Sequence, residues 1–119
     1  MTSRFPASVY GRGEEPDPRF SLANERTFLA WIRTSLALLA AGVALEALEL
    51  PIQPALRIAA SVLFIALGLL AALQSWFGWA ATERSLRNGR ALPGPTLGAG
   101  IAVGVVAATV LVSVGLLLP

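Results

Sequence analysis

FLAWIRTSLALLAAGVALEAL, residues 28–48, is an apolar run broken by two charges, Arg33 and Glu46. A membrane-spanning helix needs roughly 20 mostly apolar residues to cross a hydrocarbon core about 30 Å thick. The run is long enough, and Arg33 is then a permanent cation inside a membrane span. Two further runs, 58–81 and 97–118, contain no charged residue. With 55% hydrophobic and only 13% charged residues, the chain belongs to the class of integral membrane proteins rather than soluble domains. The fold expected is all-α with three transmembrane helices, at about 22–49, 55–82 and 96–118.

Residues 1–20 hold Pro6, Pro16, Pro18, Gly11, Gly13 and six charges, a composition too polar to bury a core of its own. They are expected to form a flexible cytoplasmic tail, with residues 21–119 as one three-helix membrane domain. Ser21 or Asn24 is available as N-cap of the first span. The short loop Pro51-Ile52-Gln53-Pro54 makes the first two spans an antiparallel hairpin. Asn88-Gly89 and Pro93-Gly94-Pro95 mark the second turn. The first apolar run starts late and is too long for a cleavable signal sequence, so it is expected to remain in the mature protein.

All basic residues are arginines. Arg12, Arg19 and Arg26 precede the first span, and Arg84, Arg87 and Arg90 lie between the second and third. The intervening loop offers only Arg57. The positive-inside rule therefore predicts a cytoplasmic N-terminus and an outer C-terminus, with the chain multi-pass in the cell inner (plasma) membrane. Phe28, Trp31, Trp76, Phe77 and Trp79 gather at the predicted cytoplasmic interface, where amphipathic rings settle. The three arginines of the second loop also suit anionic lipids, but they suffice as topology signals.

At 100° per residue, Arg26, Ala30, Arg33, Ala37, Ala40, Ala44 and Ala47 fall within about 60° of one line, with Ala41 at its edge. Trp31, Ser35, Leu38, Gly42, Glu46 and Glu49 lie opposite. The two faces should meet different surroundings. An intramembrane arginine costs about 2.5–3.5 kcal/mol on insertion scales, which turns it toward protein or water. Three readings of Arg33 stand side by side. Its side chain snorkels to the headgroups; or it pairs with Glu25, Glu83 or an acid of a neighbouring chain; or Arg26 and Arg33 stack as cationic rings around an oligomer axis and attract anions.

Gly100, Gly104 and Ala108, with Gly115 a heptad later, form a GxxxG-type ridge on the third span that permits close helix packing. Gly68 and Ala72 offer a similar notch on the second. Glu46 and Glu49 near the outer surface are either simply solvated, part of an acidic vestibule, or locked to Arg57.

The inventory speaks against catalysis. The chain has no histidine, cysteine or lysine, and hence no thiolate or imidazole metal site and no nucleophile–base pair. Thr34 and Ser35 are expected to bond to their own helix backbone. No enzyme activity, cofactor or metal is expected, and no nucleic-acid partner.

The segment FSLANERTFLAWIRTSL, residues 20–36, resembles the hallmark of the YidH-like membrane family, known as domain of unknown function 202. The block ANERTFLAW at 23–31 is its most specific part, and the three-helix layout extends the likeness over about residues 20–118. The same block is similar to the start of the membrane domain of the vacuolar transporter chaperone subunits. These belong to a polyphosphate polymerase and translocation complex in which first helices from several chains surround a basic conduit. The resemblance implies such roles for Arg26 and Arg33, with Asn24 and Glu25 as supporting positions of the motif, and it reaches only the small membrane subunit of that complex. Two function classes follow. One is a homo-oligomer enclosing a cationic path for an inorganic anion such as phosphate or polyphosphate. The other is a non-catalytic accessory or scaffold subunit packed beside a larger membrane protein.

Overall fold

The computed structural model describes residues 4–118. A short helix α1 (Ala7–Tyr10) precedes three long ones, α2 (Pro18–Ala47), α3 (Pro54–Asn88) and α4 (Thr96–Leu117). Each of the three is long and apolar enough to cross a membrane. The central helix is α3: α2 and α4 pack against it from two sides. They meet each other through long side chains, as where the Trp31 ring reaches to 3.8 Å from a Cβ position on Gly98.

The distribution of apolar side chains is that of a protein solvated by lipid. Leu38, Leu67, Ala71 and Ile101 form one small core and Leu45, Ile52 and Ala60 another. Leu36, Val62, Leu69, Val103 and Val106 stand exposed on the outside. Exposed apolar area on this scale marks an interaction with lipid or protein rather than with water.

What joins α2 to α3 is polar and small. Ser35 Oγ donates to the Gly68 carbonyl at 2.7 Å, and Ser61 Oγ donates to the Gly42 carbonyl at 2.6 Å. Serine and glycine thus alternate between the helices, a heptad apart on each. A Cβ on Gly42 would stand 2.9 Å from the Ser61 carbonyl oxygen, and one on Gly68 would stand 3.1 Å from that of Ser35. Lipid tails are as apolar as leucine, so helices in a bilayer associate by close packing and interhelical hydrogen bonds, which these positions supply. Ser35 therefore bonds across the helix pair, not to its own backbone as its sequence context suggests. Thr27 makes the local bond instead, to the Ala23 carbonyl.

Both ends of the hairpin differ from the sequence expectation. Asp17, not Ser21 or Asn24, caps α2: its carboxylate accepts the Arg19 N–H at 2.9 Å, with Pro18 at the first helical position. Ser21 and Asn24 are thereby freed to face α3. At the other end, α3 runs six residues beyond the expected 82, because hydropathy marks the end of the membrane and not of the helix. It stops at Gly89, whose φ of 65° turns the chain and whose N–H reaches the Ser85 carbonyl. Near the opposite membrane face, the N–H of Gln53 donates to the Gly115 carbonyl at 2.9 Å, satisfying one of the orphan carbonyls at the end of α4.

The segment expected to be a flexible tail lies against the projecting end of α3. Val9 is fully buried, Tyr10 meets Trp79 with ring centroids 6.1 Å apart, and Phe5 stacks on Trp76. Arg87 donates to the carbonyls of Arg12 at 2.8 Å and Tyr10 at 3.1 Å, and its own carbonyl accepts from Glu14 N–H. Gly13, at φ 68°, comes so close to the Arg87 carbonyl that a side chain there would collide with it. Too small to fold alone, the segment uses a surface that α3 provides. Residues 1–3 of the expected tail, and Pro119, lie outside the described residues.

Candidate functional site

The structure divides α2 much as the helical wheel does, but not throughout. Asn24, Ser35, Leu38, Gly42 and Leu45 are buried, whereas Arg26, Ala30, Arg33, Ala37, Ala40 and Ala47 are exposed; Ala44 is half-buried, Ala30 and Ala44 border grooves against α4, and Glu46 and Glu49 of the opposite side are exposed. Arg26 and Arg33 stand one heptad apart, about 10.5 Å along the axis. Among the described residues neither takes part in an ion pair or a side-chain hydrogen bond. The in-chain pairing of Arg33 with Glu25 or Glu83 is not formed. Beside the arginine face runs a second exposed stripe, Leu22, Leu29, Leu36 and Val43, at strict seven-residue steps.

The motif residues Asn24 and Glu25 separate. Asn24 is buried and its amide donates both to the Trp79 carbonyl at 3.0 Å and to Glu83 Oε1 at 3.2 Å. Glu25, one residue on, is exposed and lines a cleft of about 250 Å³ between α1, α2 and α3, together with Tyr10, Phe28, Trp76, Trp79 and Glu83. Glu83 itself is 2% exposed. Its other oxygen accepts from Ser21 Oγ at 3.1 Å. Sequence reasoning treated Glu83 only as a candidate partner of Arg33. The signal available for it was the Ser21-x-x-Asn24 spacing, which puts two polar side chains on the buried face of α2 where a carboxylate can receive them.

Among the described residues four arginines form ion pairs: Arg4 and Arg87 with Glu15, Arg19 with Asp17, and Arg57 with Glu46. Arg4 donates to Glu15 at 2.8 Å and lies 4.1 Å from the centre of the Tyr10 ring. The Arg4 hydrogen bond holds the Glu15 carboxyl below its usual value, with the charges of Arg4 and Arg87 adding to the effect. Hydrogen bonds from the Arg19 side chain, then its backbone N–H, lower Asp17 in the same way. Glu46 pairs with Arg57 at 3.4 Å, whereas Glu49 is exposed at a left-handed φ of 49° just past the end of α2.

The small-residue ridge of α4 is turned inward along most of its length. A Cβ on Gly104 would strike Leu67, Ala108 is fully buried, and Gly115 lies over Ile52 and Leu56. Gly100 faces open space. The ridge thus serves packing within the chain, and only its first position is left for another partner.

Residues 19–85 match the family described as "Domain of unknown function (DUF202)". The match spans α2, the first loop and nearly all of α3, and so contains both the arginine face and the Asn24–Glu83 contact. The chain is 45% identical over 82 residues to "Inner membrane protein YidH" of Escherichia coli (strain K12), covering 68% of this chain and 71% of that protein. It is 51% identical over 84 residues to "Uncharacterized protein Rv2272" of Mycobacterium tuberculosis (strain ATCC 25618 / H37Rv), covering 66% of each. No solved structure matches.

Proposed function

This chain belongs to the DUF202 family, and on that premise we propose that it assembles through α2 into a homo-oligomer whose Arg26 and Arg33 line a cationic path for inorganic anions such as phosphate or polyphosphate. It is a small multi-pass membrane protein, and like its E. coli relative it resides in the inner membrane. The arginine distribution orients it with the N-terminus and the α3–α4 loop in the cytoplasm.

The observation that carries the reading is the exposed, unpaired arginine face of α2. Burial of such a charge against lipid is costly, and the other two spans contribute no carboxylate to relieve it within the bilayer. A ring of α2 helices relieves it by water and anions along a shared axis, and the Leu22–Leu29–Leu36–Val43 stripe supplies the contact between neighbours. Small alanines between and beyond the arginines leave the axis open, and the apolar stretch from Ala37 to Ala44 conducts only when it is wetted. The protein carries no catalysis of its own in this scheme. An accessory role beside a larger partner draws less support, since Gly104, Ala108 and Gly115 already pack on α3.

Reconstitution in liposomes tests the proposal. Arg33→Ala and Arg26→Ala should each cut phosphate flux at least tenfold while the oligomer persists in mild detergent. Unchanged flux and unchanged assembly in the double variant would refute it.

A further inference from the structure

The cleft between α1, α2 and α3 combines features that the anion path does not use. Glu83 is a carboxylate 2% exposed, yet among the described residues it accepts only two neutral hydrogen bonds, from Ser21 and Asn24, and no cation pairs with it. An ionised carboxylate can accept about four hydrogen bonds, and its charge in a poorly solvated site calls for a counter-cation. Arg4 feels the Glu83 charge but is hydrogen-bonded to Glu15, and Arg87 is hydrogen-bonded to Glu15 and to the carbonyls of Tyr10 and Arg12. Tyr10, Phe28, Trp76 and Trp79 line the same cleft as the carboxylate. Trp76 and Trp79 lie with ring centroids 5.4 Å apart, and Tyr10 closes on Trp79 at 6.1 Å. Glu25 adds a second negative charge at the rim.

Aromatic faces attract cations through the ring quadrupole, and the combination of several rings with a carboxylate is how alkylated ammonium groups are recognised. The protein's own Arg4 and Arg87 already lie over Tyr10, at 4.1 and 5.4 Å. The cleft also stands at a particular depth: Glu83 follows the charge-free run by two residues, and the tryptophans mark the level of the lipid headgroups. We propose that this cleft binds an alkylammonium group, carried by a lipid headgroup of the ethanolamine type or by a free amine, with Glu83 as its counter-ion and Trp76 and Trp79 as its aromatic walls.

The test uses the full chain in nanodiscs of phosphatidylglycerol, which carries no ammonium. Replacing Trp31→Phe leaves Trp76 and Trp79 as the only tryptophan reporters. Tetramethylammonium and ethanolamine are titrated into these discs, and a second series of discs contains increasing phosphatidylethanolamine. A saturable change in tryptophan emission is expected. Response to the soluble amines assigns the source as a free amine, and response to the lipid series alone assigns it as the headgroup. Glu83→Gln keeps the side-chain shape and should weaken the response at least tenfold. Trp76→Leu alters a partly exposed ring, leaves the helix contacts in place, and should weaken it several-fold with unchanged circular dichroism. No saturable response to any of the three probes, or a full response in Glu83→Gln, overturns the proposal.

Discussion

Ser35 and Ser61 show how little chemistry is needed to pin two helices in lipid. Each gives one hydrogen bond to a glycine carbonyl on the opposite helix, and each glycine is the place where the backbones come near enough for that bond. Interhelical hydrogen bonds in membranes average about 0.6 kcal/mol and reach about 1.7 kcal/mol. Ser35→Ala and Ser61→Ala should therefore each lower stability by roughly that range, read by reversible unfolding in mixed micelles. Gly42→Ala should cost more, about 1–3 kcal/mol, because its methyl group meets a backbone oxygen that can retreat only if the helices part. A smaller loss for the glycine than for the serine variants would mean that close approach is not what holds the pair. These rungs are hard to read in the sequence, since Ser35 lies among alanines and leucines and a serine in a helix can always satisfy itself locally. Arg33 is the opposite case: its charge in an apolar run is conspicuous, and the helical period alone assigns its face.

Element by element, the three spans are legible because their length and polarity are set by the bilayer, while their ends depend on individual contacts. Asp17 is hidden among the charges of the N-terminal segment, yet it starts α2 four residues before the first residue expected to be helical by about 22. The strap formed by residues 4–15 is less legible still, because its stability resides in α3: Arg87 grips two carbonyls and a carboxylate that no local pattern brings together. Arg87→Met should release the strap and speed hydrogen exchange of the amides of residues 9–14 at least tenfold, leaving exchange within the spans unchanged. Acid should do part of the same. The folded-state pKa of Glu15 is lowered, so the stabilisation it gives is present above its ordinary value of 4.5 and is lost as the pH falls below it. Emission from Trp76 and Trp79 should report a transition in that acid range which Glu15→Gln abolishes. A transition that persists in the variant would assign the acid response to another group.

For the whole molecule, the proposed function makes one chain an incomplete unit. The chain forms an elongated body of 64 × 25 × 20 Å with α3 at the centre, and Arg26 and Arg33 of α2 are exposed on it. Three helices are too few to enclose a polar path, so the proposed function requires several chains. Leu29→Asn with Leu36→Asn, on the stripe beside the arginines, should shift the detergent-solubilised particle toward monomer without loss of helicity, as size-exclusion chromatography with light scattering would record. The central claim, that α2 turns Arg26 and Arg33 to a shared wet axis, is tested most directly by a cryo-electron microscopy structure of the nanodisc particle. The account predicts a closed ring of chains with α2 innermost and both arginines facing a hydrated centre. A monomeric particle, or a ring in which Arg33 points outward to the headgroups, would contradict it.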